Sequence, residues 1–190
     1  MISNVLRTLY RDHVNLEDLL KLIENDVERI GIEQSKPDFE MLTLALEYLV
    51  DYPDHYHHPT EDLMYSTLVC RAPKLEGEIG VITADHKSLS QLTGSFSDAV
   101  ACAIDGGPTN SIRKLGREFL RHYRHHMHIE ETELFPAAKK YLTQGDWSEI
   151  EMMAKIPVDP LFTEHVREAY LALKRRIVNQ AQQNRKVPAA

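Results

Sequence analysis

One chemical pattern occurs twice in this chain, and it restricts the fold more than any other feature. Asp12–His13–x–x–Leu16–x–x–Leu19 is matched by Asp85–His86–x–x–Leu89–x–x–Leu92. His57–x–x–x–Glu61–Asp62 is matched by His126–x–x–x–Glu130–Glu131. The first pair lies 73 residues apart and the second 69. Internal self-similarity of this kind marks repeated supersecondary units. Seven of the ten histidines fall in two short clusters, His55, His57, His58 and His122, His125, His126, His128. The chain therefore reads as two helical hairpins, each with a lone histidine on its first helix and a His-x-x-x-Glu on its second.

The spacing of apolar residues agrees. Leu6, Leu9, His13, Leu16, Leu20, Ile23, Val27 and Ile30 recur at helical intervals, and Leu42, Leu46 and Leu49 lead into the His55–Glu61 cluster. A third stripe runs through Ile79, Ile82, His86, Leu89, Leu92 and Phe96, and a fourth from about Thr109 through Ile112, Leu115, Phe119, His126 and Glu130 to Tyr141. Asp105–Gly106–Gly107–Pro108 is a stop and turn signal between the last two. Weaker patterns at Trp147–Met153 and Leu161–Val178 follow. The prediction is an all-α protein, an up-down-up-down four-helix bundle over about 3–143 with a C-terminal helical extension over about 146–182, forming a single domain 1–190. Pro53 and Pro59 fall inside the second helix and predict a kink or a break there.

Residues four apart share a helix face, so His57 with Glu61 and His126 with Glu130 can point into the bundle together. His13 and His86 lie in register with core-facing leucines. Four imidazoles and two carboxylates then meet in a buried space, where unpaired carboxylates are costly. Metal cations resolve that cost. Mixed histidine and carboxylate ligands in a helical bundle suit a pair of iron ions better than a closed zinc site, since neither Cys70 nor Cys102 belongs to a CxxC pair. The di-iron bundles built on Glu-x-x-His use the opposite order and a spacing of three.

The ordered set His13, His57-x-x-x-Glu61, His86, His126-x-x-x-Glu130, with the strings His57–Asp62 and Glu130–Pro136 around it, resembles the hemerythrin-like, or HHE cation-binding, domain family over roughly residues 5–142. The resemblance implies a non-heme di-iron centre, oxo- or hydroxo-bridged and spanned by Glu61 and Glu130. The oxygen-carrying hemerythrins have five histidine ligands, two of them on the third helix. Here Ile82 stands four residues before His86, so that pair is absent. His58 is the preferred fifth nitrogen ligand, followed by His122 and His165. The expected metal set is thus His13, His57, His58, Glu61, His86, His126 and Glu130. The implied function is binding, sensing or handling of O2, NO or peroxide by a metal-binding protein rather than a dedicated enzyme. The alternatives are a di-iron oxidoreductase acting on peroxide or NO, an iron storage or regulatory protein, and a protein that repairs iron–sulfur clusters. Repair proteins of this type usually carry an added cysteine-bearing N-terminal domain, which these residues do not show.

Other classes are disfavoured. With 22 Lys+Arg against 29 Asp+Glu the net charge is -7, which argues against a nucleic-acid partner. No 18-residue apolar run offers a membrane span, and the N-terminus lacks the layout of a signal peptide, so the expected setting is the reducing cytoplasm. Self-association into a homo-oligomer is compatible with such a bundle. His55, His125 and His128 are expected on solvated or supporting faces, Asp62, Glu131 and Glu133 as surface charge, and both cysteines as small buried residues. The run Lys174–Arg175–Arg176 reads as a solvated helix end. Tyr52, Tyr56 and Tyr123 are expected chiefly to fill interhelical space.

Overall fold

A computed structural model describes residues 3–109, 111–154, 159–162 and 168–186, apart from the side chains of 169 and 181–186. Among the described residues there is no strand, and no helix is long and apolar enough to cross a membrane. Helix α1 spans Asn4–Arg29, with the Ser3 hydroxyl accepting from the Leu6 N–H at its start. Helix α2, Phe39–Tyr52, is capped by Asp38. A π turn at Pro53–His57 joins it to α3, His58–Arg71, and the three make one rod. Helix α4 runs Glu76–Ile104. The last rod is α5, Ile112–Ile129, a π turn at Glu130–Leu134, and α6, Phe135–Tyr141.

The four rods pack in a ring. Asp26 meets the Asp38 backbone while Asp12 meets Tyr52, so α1 and α2 run in opposite directions. Phe96 packs on Phe119 and Asp85 bonds His126, so α4 and α5 also run in opposite directions. Glu28 takes Arg113 and Arg117, whereas His13 takes Glu131, closing the ring between the last rod and α1. At Gly116 α5 comes close to both α1 and α4. A Cβ there would meet Val27 Cγ2 at 2.7 Å and Phe96 Cζ at 3.0 Å.

The second rod runs through its prolines without a break. His58 N–H bonds Pro53 O, and Phe135 N–H bonds Glu130 O. Each of these wide bonds closes one residue before a proline, Pro59 and Pro136. Proline has no N–H to donate, and its ring would crowd the carbonyl four residues back. A π turn accommodates that local defect and lets the rod continue.

Apolar residues gather in two clusters. One contains Leu16, Leu20, Tyr52, Leu89, Phe119 and Tyr123; the other contains Leu9, Met64, Tyr65, Ile82, Leu134 and Phe135. On every rod the switch from one cluster to the other occurs at the histidines and glutamates. The polar layer is thereby clamped between two dry plugs.

Helix α7, Gln144–Met153, starts in a capping box between Thr143 and Asp146, and Arg71 forks onto Asp146 at 2.7 Å. Helix α8 spans Leu171–Lys186 after a short 3-10 turn, and at the start of the Leu161–Val178 pattern Leu161 and Phe162 are not helical, while residues 163–167 of that pattern lie outside the described residues. The Asp159 carboxylate takes the Leu161 and Phe162 N–H groups and holds those two residues in a bend. Arg176 is no solvated helix end, because it pairs with Asp26 and Asp38. Cys70 and Cys102 are exposed free thiols, contrary to the expectation of burial.

Candidate metal centre

The two hairpins bring their histidines to one level of the bundle. His13 and His86 project inward from the middle of α1 and α4. His57 and His58 close the first π turn, and His126 lies in the last turn of α5. All five are buried. Glu61 and Glu130 lie between them at 0% exposure. Each carboxylate reaches both sides of the cage. Glu61 Oε1 faces His57 Nε2 at 3.3 Å and His13 Nε2 at 3.6 Å, while its Oε2 faces His86 Nε2 at 3.5 Å. Glu130 Oε2 faces His126 Nε2 at 3.3 Å and His13 Nε2 at 3.4 Å, and its Oε1 faces His86 Nε2 at 3.6 Å.

Two sets of donors could each hold a cation: His13, His57 and Glu61 on one side, and His58, Glu61, His86 and His126 on the other. The donors of each set lie within 4.8 Å of one another. The consecutive histidines serve different sets. Neighbouring residues on a helix point about 100° apart, so His57 leans to α1, its ring 5.1 Å from that of His13. His58 leans to α4 and stacks on His86 at 4.3 Å and 11°. His58 thus joins the set that Ile82 leaves one imidazole short. His122 does not enter the cage; its Nε2 lies 2.7 Å from Asp85 Oδ1. His165 falls outside the described residues. His55, His125 and His128 are exposed, as expected.

Behind every cage histidine stands a carboxylate. Nδ1 of His13 lies 3.0 Å from Glu131, of His57 3.4 Å from Asp12, of His58 3.2 Å from Asp54, of His86 3.1 Å from Asp62, and of His126 3.1 Å from Asp85. The acids behind His13, His57, His58 and His126 are placed to hold a proton on Nδ1 and so direct Nε2 at the two glutamates, whereas Asp62 meets His86 as an ion pair without hydrogen-bond geometry. Asp62 and Glu131 are therefore not plain surface charge. The repeat explains them. The Asp before each lone histidine supports the His-x-x-x-Glu histidine of its own hairpin, and the acid after each Glu supports the lone histidine of the other hairpin. That signal was present in the doubled Asp-His and Glu-[Asp/Glu] strings.

The buried imidazoles and carboxylates set one another's electrostatics. Burial works to lower the His13 pKa, yet Glu130, Glu131 and Glu61 hold it well above the usual histidine range. Burial likewise opposes charge on His86 and His126, and the surrounding carboxylates lift them to about 10 and about 9. His58 goes the other way, lowered by burial in spite of Asp54. Glu130 is held well below the usual carboxylate range, because His126, His13 and His86 outweigh its burial. Even so, Nε2 of His13, His86 and His126, both oxygens of Glu61 and Oε2 of Glu130 are buried without a hydrogen-bond partner. Orphaned atoms of this kind carry desolvation costs that ordinary cores avoid. A pair of cations would engage all of them, so the residues present fit such a group. Two tyrosines complete the surroundings: Tyr65 donates to Glu130 Oε1 at 2.9 Å, and Tyr52 donates to Asp12. Tyr65 carried no signal in the sequence patterns, since it reaches the cage from a position that otherwise reads as core.

No curated protein and no solved structure matches the chain. A family model does: the one described as the hemerythrin HHE cation binding domain matches residues 4–138.

Proposed function

The chain belongs to the hemerythrin HHE cation-binding domain family, and from that premise we propose that it holds two iron ions and uses them to bind or process O2, NO or peroxide. Glu61 and Glu130 would bridge the ions. His13 and His57 would serve one, and His58, His86 and His126 the other. The observation that carries this reading is the set of five imidazoles, each backed by its own carboxylate, aimed at two buried glutamates with unpartnered oxygens.

When bound, an iron pair supplies Lewis acidity and one-electron redox chemistry at a site where a diatomic or peroxidic ligand can attach. The chain supplies the rest. Its outer acids fix the imidazole tautomers, and its two apolar clusters keep bulk water from the cage. In the second hairpin Met127 occupies the place that His58 has in the first, so the His13–His57 side has one imidazole fewer. That side is where an exogenous ligand would bind. The Tyr65 hydroxyl, fixed on Glu130, is a proton donor at the same level of the bundle. Two exposed, unpaired thiols, Cys70 and Cys102, fit a reducing cytoplasmic setting.

Metal analysis with visible spectra before and after exposure to air tests the proposal. The expected result is about two irons per chain, as a two-ion cage requires, and an oxo-bridged absorption band. Reversal of the band on deoxygenation identifies a carrier. Irreversible oxidation with turnover of peroxide identifies a catalyst. Zinc alone, without redox behaviour, overturns the reading.

A further inference from the structure

A buried ladder of tyrosines ties the metal cage to the C-terminal segment. Tyr52 donates its hydroxyl to Asp12 Oδ2 at 3.2 Å, the same oxygen that faces His57 Nδ1. Tyr48 lies one turn earlier on α2, its ring stacked on Tyr52 with centroids 5.5 Å apart and planes 11° apart. Its own hydroxyl donates to Asp159 Oδ2 at 3.1 Å. Tyr170 and Phe162 meet the Tyr48 ring edge-on at 5.9 and 6.0 Å. Tyr56, half-buried, stands 5.9 Å from Tyr52 at the outer end. Tyr48 and Tyr52 are each 1% exposed, and Asp159 is 7% exposed.

Packing alone does not account for this arrangement. Phenylalanine would fill the same volume without burying a hydroxyl and an acid. The hydroxyl–carboxylate pair adds a proton acceptor fixed against a phenol. A buried phenol that loses an electron without an acceptor becomes a cation, which a low-dielectric surrounding opposes. With an acceptor in place it becomes a neutral radical. Rings within 6 Å of one another from Tyr48 to Tyr52, with a hydrogen-bonded link onward through Asp12 to His57, give a continuous path to the cage.

We propose that Tyr48 is a redox-active tyrosine that delivers single electrons, by way of Tyr52, to the metal centre when that centre reacts with hydrogen peroxide. The proposal rests on the metal-centre reading above. In the step, the Tyr48 O–H bond breaks, its proton passes to Asp159 Oδ2, and its electron passes to the centre. One peroxide takes up two electrons and two solvent protons and leaves as two waters. One electron comes from Tyr48, the other from the metal pair, which rises by one unit of oxidation. Tyr48 is left as a neutral phenoxyl radical and Asp159 as a carboxylic acid. A small one-electron reductant, meeting the ladder at Tyr56, restores the phenol as the proton returns from Asp159.

The experiment is electron paramagnetic resonance on the iron-loaded full chain, frozen at intervals after mixing with hydrogen peroxide. The expected result is a tyrosyl signal whose hyperfine structure collapses when the chain carries ring-deuterated tyrosine. Tyr48→Phe loses that signal while iron content and visible absorption stay as in the parent. Asp159→Asn keeps the phenol but removes the proton acceptor, and its radical yield falls. Three results overturn the proposal: a full signal in Tyr48→Phe, an unchanged yield and decay in Asp159→Asn, or no radical in parent protein that holds two irons with the bridged band. The last leaves the metal-centre reading standing. Protein without iron or without the band removes that reading and this one together. Should Tyr48→Phe fail to fold, the Asp159→Asn result decides.

Discussion

The two sides of the cage come from the same repeat and differ by one residue. The side built on His86, His126 and His58 has three imidazoles, and the side built on His13 and His57 has two. The surroundings diverge with the ligands. Asp54 stands behind His58, whereas the matching place before His126 holds Tyr123, whose buried hydroxyl has no partner. On the proposed reading, the repeat keeps both glutamates and both lone histidines, and one substitution next to the His-x-x-x-Glu would saturate one ion and leave the other open to a ligand.

Four results would sharpen or break that contrast. The largest effect is expected for Glu61→Ala and Glu130→Ala, which remove a donor shared by both sides. Each should bring iron well below one ion per chain and lower the thermal midpoint of iron-loaded protein towards that of the apo form. Full occupancy in both variants would show that neither carboxylate bridges. Next come His58→Ala and His86→Ala, which strip the three-imidazole side. Their iron losses should be alike and confined to one ion, read by titration with iron(II) under anaerobic conditions. A parent-like His58→Ala would remove the asymmetry. Asp54→Asn tests the supporting acid. It should weaken iron on the His58 side by about 10–100-fold, the usual cost of losing a partner behind a metal ligand, and leave the His13–His57 side unaffected.

The fourth result concerns protons. In metal-free protein His86 and His126 titrate at about 10 and about 9, above the unfolded value near 6.5. Groups raised in this way stabilise the apo fold fully below pH 6.5, and that stability disappears as pH rises through 9 to 10. Apo protein should therefore melt at lower temperature at pH 10 than at pH 7, measured by calorimetry. Metal uptake must expel the same protons, so iron binding at pH 7 should release acid and weaken as pH falls. A melting profile flat from pH 7 to 10 would contradict the proton occupancy of the three-imidazole side.

How far the sequence revealed this site depends on distance along the chain. His57 with Glu61, and His126 with Glu130, were readable because the i,i+4 relation is local and a helix fixes it. His13 and His86 were readable from their place in leucine stripes. His58 could be favoured only as a neighbour of His57, because the stacking on His86 that orients it is set by how two rods pack. The outer acids Asp62 and Glu131 were misread for the same reason. Glu131 meets His13 across 118 residues of chain, and on its own helix it has the character of a solvent-facing charge. The start of the C-terminal pattern was least legible, since Asp159 takes Leu161 and Phe162 out of the helical stripe by capturing their backbone N–H groups.

The clamp of two apolar plugs has a consequence for time rather than affinity. Every donor lies in a layer closed from above and below by packed side chains, and none is on a terminal or loop segment. On this geometry exchange of an ion would call for the rods to part, a collective opening far rarer than a side-chain flip. Once filled, the cage should yield iron to an external chelator at a rate that stops depending on chelator concentration, because breathing of the bundle becomes the slow step. Residence time would then follow the packing of Leu9, Leu16, Met64 and Leu89 as much as the strength of any bond to a histidine.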